Sequence, residues 1–407
     1  MRFEIVGRQG VCSLSIAELP SSGYLLAGMG NYSQLILQRL QEMQRPLPVA
    51  LIDTMTSDCS EKFGLPVIDM TQASQHDLSI IIGSSPYDYE QEVMAKLRRH
   101  GCHRLVALEP EEILPPLLDP LADSLADTET WPVLLLVCML DHHVQQLASL
   151  MIWLHQRQIL CRVVRSYDAH AIMAIPPSRL LGAIIWNGTP AYYDSVKQYL
   201  QDMGKQYLYA ELGFFPQREH VYLDRQGVNL GRCMGLMSCQ KDDAEQELVR
   251  VRERLLGGRL WVPGDAVLVP LQIATDTNVR LYSNYGDKMQ QFIDDVIRDY
   301  GNERLLFKPH PLDPLGDTYD FHGREIVSGD FMTLALSSKF ICGINSSTLF
   351  EARLVGIPVH FYGRSLLSEC PDEQEVMLQM VQNQFRVDGS DLVRKIGPYM
   401  QQFGIEI

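Results

Sequence analysis

The chain has 407 residues, too many for one ordinary hydrophobic core and enough for two or three domains. Apolar residues make up 46% and charged residues 21%, the balance of a globular protein rather than of a disordered one. The formal net charge of −15 excludes general nucleic-acid binding, which needs basic surface to displace counterions, and disfavours unspecific attraction to anionic lipid.

No window approaches twenty unbroken apolar residues, and Met1-Arg-Phe-Glu-Ile-Val lacks a signal-peptide pattern, so the expected location is the cytoplasm. Nine cysteines are scattered without a C-x-x-C pair or a nearby histidine cluster, which speaks against a zinc site and a disulfide scaffold. Cys138, Cys161 and Cys342 lie in apolar stretches and read as reduced core residues.

Three α/β blocks follow one another. The first, 1–125, opens with a small β-element and continues with Gly23-Tyr-Leu-Leu-Ala-Gly-Met-Gly30, a helix over 33–43 and the strand Pro48-Val-Ala-Leu-Ile-Asp53. Further strands over 67–68, 78–82 and 104–108, with a helix near 87–99, complete a Rossmann-like unit. Gly28-x-Gly30-x-x-Ser33 with Asp53 has the outline of a dinucleotide fingerprint, with serine at its third small position. A plain tight turn would show the same residues. The stretch 114–129, rich in Pro, Asp and Leu, reads as a linker.

The second block, 131–214, has strands at 133–137, 161–164, 183–186 and 207–210 separated by helices, again the rhythm of a parallel sheet. His142 and His143 follow Asp141 after a strand and read as the start of a helix rather than as metal ligands. A connecting segment, 215–260, is polar up to 240 and then forms a charged helix over 242–256. Within it, Asp224 and Gly227 make a turn. The third block, 261–407, alternates strands at 266–270, 306–308 and 339–344 with helices. The expected fold is thus α/β, with two Rossmann-like halves enclosing a cleft in a GT-B-like manner, plus the additional N-terminal Rossmann-like domain.

The densest chemistry lies in the third block. Leu306-Phe-Lys-Pro-His-Pro311 is an apolar strand that delivers Lys308 and His310 at its carboxyl end, and Asn345-Ser-Ser-Thr-Leu-Phe-Glu351 is a strand-to-helix turn. Ser346 and Ser347 fall at the N-cap and first turn of a helix over 348–355, where free N–H groups and the helix dipole favour an anion. Glu351, one turn further in, is placed to grip a sugar diol. Together these residues describe a phosphate pocket at the carboxyl edge of a parallel sheet.

Asp276, in the loop after the strand that ends near Gln272, shares that edge and could act as nucleophile or base, or simply cap the next helix. Glu211, at the end of the second block, lies on the facing edge. An acid from each half beside a phosphate pocket suits glycosyl transfer.

In combination, Glu211-Leu-Gly-Phe, Asp224-x-x-Gly227-Val-Asn229, Pro270-Leu-Gln272 with Asp276-Thr, His310-Pro311, Ser346-Ser347 with Glu351-Ala, and Gly356-x-Pro358-Val resemble the bacterial capsule and lipopolysaccharide β-Kdo transferases. The resemblance covers roughly 205–365. The His-Pro and Ser-Ser pair is shared with bacterial sialyltransferases and points to CMP-sugar use, while the Gln-x-x-x-Asp element favours Kdo.

The resemblance implies a retaining enzyme with CMP-β-Kdo as donor. Asp276 would correspond to the family's catalytic aspartate, Glu211 to the acid/base for the acceptor hydroxyl, and His310 to the group that stabilises or protonates the departing phosphate. Gln272, Lys308, Ser346, Ser347 and Glu351 would bind the donor. No metal or cofactor is implied, because a monophosphate leaving group can be held by side chains and a helix N-terminus. The expected partners are the CMP-sugar and a glycan or lipid-linked glycan acceptor. A lipid-linked acceptor would bring peripheral association with the inner membrane or with other polysaccharide-assembly enzymes. Two other functions compete: a sialyltransferase or another CMP-nonulosonate transferase, and a non-catalytic NAD- or sugar-binding protein built around the first block.

Overall fold

A computed structural model describes residues 11–21, 23–54, 60–84, 90–114, 117, 119–121, 130–166, 168–231, 241–311, 313, 315–370 and 372–406. Residues 1–10 and the stretch 122–129 of the expected linker lie outside the described residues; among those described, the first block opens with the short strand Cys12–Leu14. The chain forms two compact units of α/β structure. One comprises Met1–Leu118, Val164–Ala174 and Pro190–Asp202; the other comprises Asp119–Val163, Ile175–Thr189 and Met203–Ile407.

The first unit is built on a seven-stranded sheet in the order Cys12–Leu14, Leu105–Leu108, Ser79–Ile82, Tyr24–Ala27, Ala50–Ile52, Leu65–Ile68, Glu61–Lys62. All pairings are parallel except the last. Tyr24–Ala27 is buried along its whole length, as expected of a parallel strand covered on both faces. Chain winding reverses between it and Ser79–Ile82. The Gly-Met-Gly turn follows this central strand, with Gly28 at φ +111° and Gly30 capping the helix Asn31–Glu42. Ser33 packs that helix down by donating to the Gly83 carbonyl at 2.8 Å. A Cβ on Gly83 would stand 2.4 Å from Ser33 Oγ, so the close approach requires glycine. Asp53 is buried at the end of the next strand. Two segments from later in the chain, including the helices Ala169–Met173 and Asp194–Asp202, group with this unit rather than with the sheet whose strands they connect.

The second unit contains two sheets. The six-stranded sheet runs Gln384–Arg386, His220–Asp224, Gln206–Leu212, Leu180–Trp186, Val133–Val137, Leu160–Val164. Its apolar strand Val133–Val137 is wholly buried. Within the segment 215–240, expected to be polar, His220–Asp224 is instead a fully buried strand, antiparallel to Gln206–Leu212 on one side and to Gln384–Arg386 on the other. The end of the chain therefore returns to this sheet.

The five-stranded sheet is entirely parallel, in the order Glu325–Ile326, Arg304–Lys308, Ala266–Pro270, Phe340–Gly343, Val359–Phe361. The helix Met289–Tyr300 lays Phe292, Ile293 and Val296 on Val267, Val269 and Phe307, one apolar stripe against one sheet face. Winding reverses between Ala266–Pro270 and Phe340–Gly343, and the crevice beyond their carboxyl ends is where open parallel sheets bind ligands.

Candidate active site

A cavity of about 260 Å³ opens at this switch point. The five-stranded half contributes Gln272, Asp276, His310, Asn345, Ser346 and Ser347 to its lining. Leu212, Gly213, Phe214 and Gln217 come from the end of Gln206–Leu212 and the turn that follows.

The floor is a carboxamide pair that joins the two strands of the switch point. Gln272 Nε2 donates to Asn345 Oδ1 at 3.2 Å, and the Asn345 backbone N–H donates to Gln272 Oε1 at 3.0 Å. Asn345 Nδ2 donates in turn to the carbonyls of Asn278 at 2.9 Å and Arg364 at 3.3 Å. Gln272 thus lines the cavity while its carboxamide holds Asn345. The site-forming part of Asn345 was not read from the sequence, although its place directly before Ser-Ser at a strand end was the available signal.

Ser346 is the N-cap of the helix Ser347–Leu354, its Oγ accepting from the Thr348 N–H at 3.3 Å. Ser347 Oγ donates to Gln217 Oε1 at 2.9 Å, tying the helix start to the opposite wall. First-turn N–H groups and two hydroxyls therefore border one cavity, a setting that suits phosphate oxygens.

Asp276 caps the helix Thr277–Tyr282 through Asn278 N at 2.7 Å and is reached by solvent through the cavity. The surrounding protein raises its pKa, against hydrogen bonds from the Asn278 and Val279 N–H groups and the charge of His310. His310 is pushed the other way: desolvation lowers its pKa, opposed by the charges of Asp313 and Asp276. The cap and a catalytic part are compatible, since each carboxylate oxygen can accept more than one bond.

Glu211 flanks the cavity without lining it. Desolvation raises its pKa to about 7, opposed by the Leu212 N–H and Asn187, with the nearby charge of Asp276 adding to the rise. Oε2 accepts from Asn187 Nδ2 at 2.8 Å, and Oε1 from Leu212 N at 2.9 Å. The charge of Asp276, from the five-stranded sheet, thus acts on Glu211 of the six-stranded sheet and adds to the desolvation that raises it.

Lys308 and Glu351 also stand outside the lining. The Lys308 charge acts on His310 and on Asp330. Glu351 is raised to about 7 by desolvation, opposed by the Gln217 backbone N–H that donates to it. The sequence reading overlooked Gln217, Tyr282 and Arg364 as cavity residues. His142 and His143 begin a helix, and His143 stacks on Trp186 at 4.8 Å between ring centroids. Among the described residues, no cluster of three or more His, Cys, Asp or Glu forms a metal site, and no helix is long and apolar enough to cross a membrane.

Residues 257–369, which span the whole five-stranded sheet and its half of the cavity, match the family model described as capsule polysaccharide biosynthesis protein. Two solved structures from Thermosulfurimonas dismutans are similar to this chain. One is the KpsC beta Kdo 2,7 transferase, with a TM-score of 0.45 and 15% identity over 64% of this chain and 97% of that one. The other is the KpsC beta Kdo 2,4 transferase, with a TM-score of 0.45 and 16% identity over 61% of this chain and 89% of that one. No curated protein matches the sequence.

Proposed function

We propose that the chain is a GT-B-like glycosyltransferase that moves Kdo from CMP-β-Kdo to a hydroxyl of a surface-polysaccharide or glycolipid acceptor, with retention of configuration. The observation that carries this reading is the meeting of Asp276, His310 and the Ser346-Ser347 helix start in one cavity, beside Glu211, within a span that largely matches a capsule-synthesis family model.

In the first step the Asp276 carboxylate attacks the anomeric carbon. The carbon–oxygen bond to the phosphate breaks and CMP departs with the bonding pair. His310 stabilises the phosphate as charge develops, and the Ser346 and Ser347 region holds its oxygens. In the second step the acceptor oxygen attacks the same carbon, Glu211 takes the hydroxyl proton, and the bond to Asp276 breaks. Two inversions restore the β configuration, the logic of retaining glycosidases. A base titrating near 7 is well matched to that proton transfer.

The test is a donor screen of CMP-Kdo against CMP-sialic acid with a glycan or glycolipid acceptor, followed by NMR of the new linkage. Transfer from CMP-Kdo to give a β linkage is expected. Preference for CMP-sialic acid would move the protein to the competing reading, and an α product would overturn the retaining mechanism.

A further inference from the structure

We propose that Asn187 is a positioning residue of this site, its carboxamide holding the Glu211 carboxylate in the orientation that takes a proton from the acceptor. The inference rests on the assignment of Glu211 as the base.

Asn187 directly follows the strand Leu180–Trp186, and its backbone N–H continues the pairing by donating to the Ala210 carbonyl at 2.7 Å. It has φ +57°, a left-handed conformation that asparagine tolerates better than most residues. The side chain explains the choice. Oδ1 accepts from the Thr189 N–H at 3.2 Å, which turns the oxygen toward the chain and the amino group toward Glu211. Nδ2 then donates to Glu211 Oε2 at 2.8 Å, while Oε1 is held by the Leu212 N–H at 2.9 Å.

Each carboxylate oxygen therefore has one fixed donor and keeps a second lone pair for the incoming proton. The donors also favour the ionised form, against burial and the charge of Asp276, which favour the protonated one. A neutral donor suits this balance. A cation in the same place would depress the carboxylate until it was too weak a base near neutrality.

The experiment compares pH profiles of kcat/KM for transfer in the wild type, Asn187→Gly, Asn187→Asp and Glu211→Gln, with CMP affinity measured by calorimetry. Glycine keeps the left-handed backbone and removes the carboxamide. Aspartate tolerates the same backbone and sets a like charge beside Glu211. The acid limb should move up by about one pH unit in Asn187→Gly and further in Asn187→Asp, with CMP affinity within about twofold of wild type. A purely structural asparagine would lower the melting temperature and leave the limb in place. An unshifted limb in both variants, with Glu211→Gln inactive, overturns the role of Asn187 alone. Wild-type rates in Glu211→Gln overturn the assignment of the base and this inference with it.

Discussion

Replacing Gln384 by leucine should loosen one wall of the cavity and destabilise the unit that contains it. Gln384 is fully buried at the start of the last strand, opposite Tyr222. Its Oε1 accepts from the N–H groups of Phe214 at 2.7 Å and Phe215 at 3.2 Å, and its Nε2 donates to the Phe215 carbonyl at 2.8 Å. Leucine nearly matches the volume and strands two donors and one acceptor in an apolar cluster built on Phe214, Phe215 and Tyr222. Each orphaned group costs about 1–3 kcal/mol; because all three belong to one short turn that relaxes together, the net loss should be about 3–6 kcal/mol. Trp131, Trp153, Trp186 and Trp261 all lie in the cavity-bearing unit, so tryptophan fluorescence during urea denaturation reads that unit selectively. Phe214 lines the cavity, so CMP affinity should fall together with stability. A loss below about 1 kcal/mol, within the worth of a single ordinary hydrogen bond, would refute the claim that these bonds hold the turn.

Four further outcomes are expected. Asp276→Asn should reduce transfer by about 10⁴-fold while calorimetry finds CMP affinity nearly intact; substantial remaining turnover would remove Asp276 as nucleophile. Glu211 and Glu351 both titrate at about 7 when folded, above the ordinary carboxylate range, so the stability they contribute is complete below about pH 4.3 and declines as pH rises through 7. The slope of unfolding free energy between pH 5 and 8 should flatten in the Glu211→Gln, Glu351→Gln double variant, and an unchanged slope would contradict the shifts. Lys395, 4% exposed, holds Glu247, Asp391 and the carbonyls of Val381 and Gln384; Lys395→Met should cost about 3–5 kcal/mol in the tryptophan-monitored transition, and a near-neutral result would show the network to be dispensable. Gly83→Ala should cost the first unit about 1–3 kcal/mol, seen as faster amide exchange in Tyr24–Ala27, because the added methyl group meets Ser33 and the Ala27 carbonyl; unaltered exchange would argue against that packing.

Local signals explain what was legible beforehand. Continuous apolar runs such as Val133–Val137 and Ala266–Pro270 announced parallel strands, and Ser346 announced a cap because its hydroxyl and the following helix are neighbours in sequence. Asp276 was readable for the same reason, as a cap beside a strand end. The strand His220–Asp224 escaped because it is short, lies among polar residues and pairs with a segment some 160 residues later. Long-range contacts also hid Gln217, which meets Ser347, and Gln384, which meets Phe214 and Phe215. Gln272 carried a chemical signal but not its consequence: only the packed switch point shows that its carboxamide fastens Asn345. In the first block, Gly28-x-Gly30-x-x-Ser33 correctly marked a strand-turn-helix, and the structure gives Ser33 a packing partner in Gly83.

The central claim is that the cavity at the five-stranded switch point holds the CMP portion of a sugar donor. Calorimetric titration of CMP into the wild type and into the Ser346→Ala, Ser347→Ala double variant tests it most directly. Saturable one-site binding to the wild type and loss of most of that affinity in the double variant are expected, with the folded tryptophan signal retained. Equal CMP affinity in the two proteins, or no binding to the wild type, would contradict it.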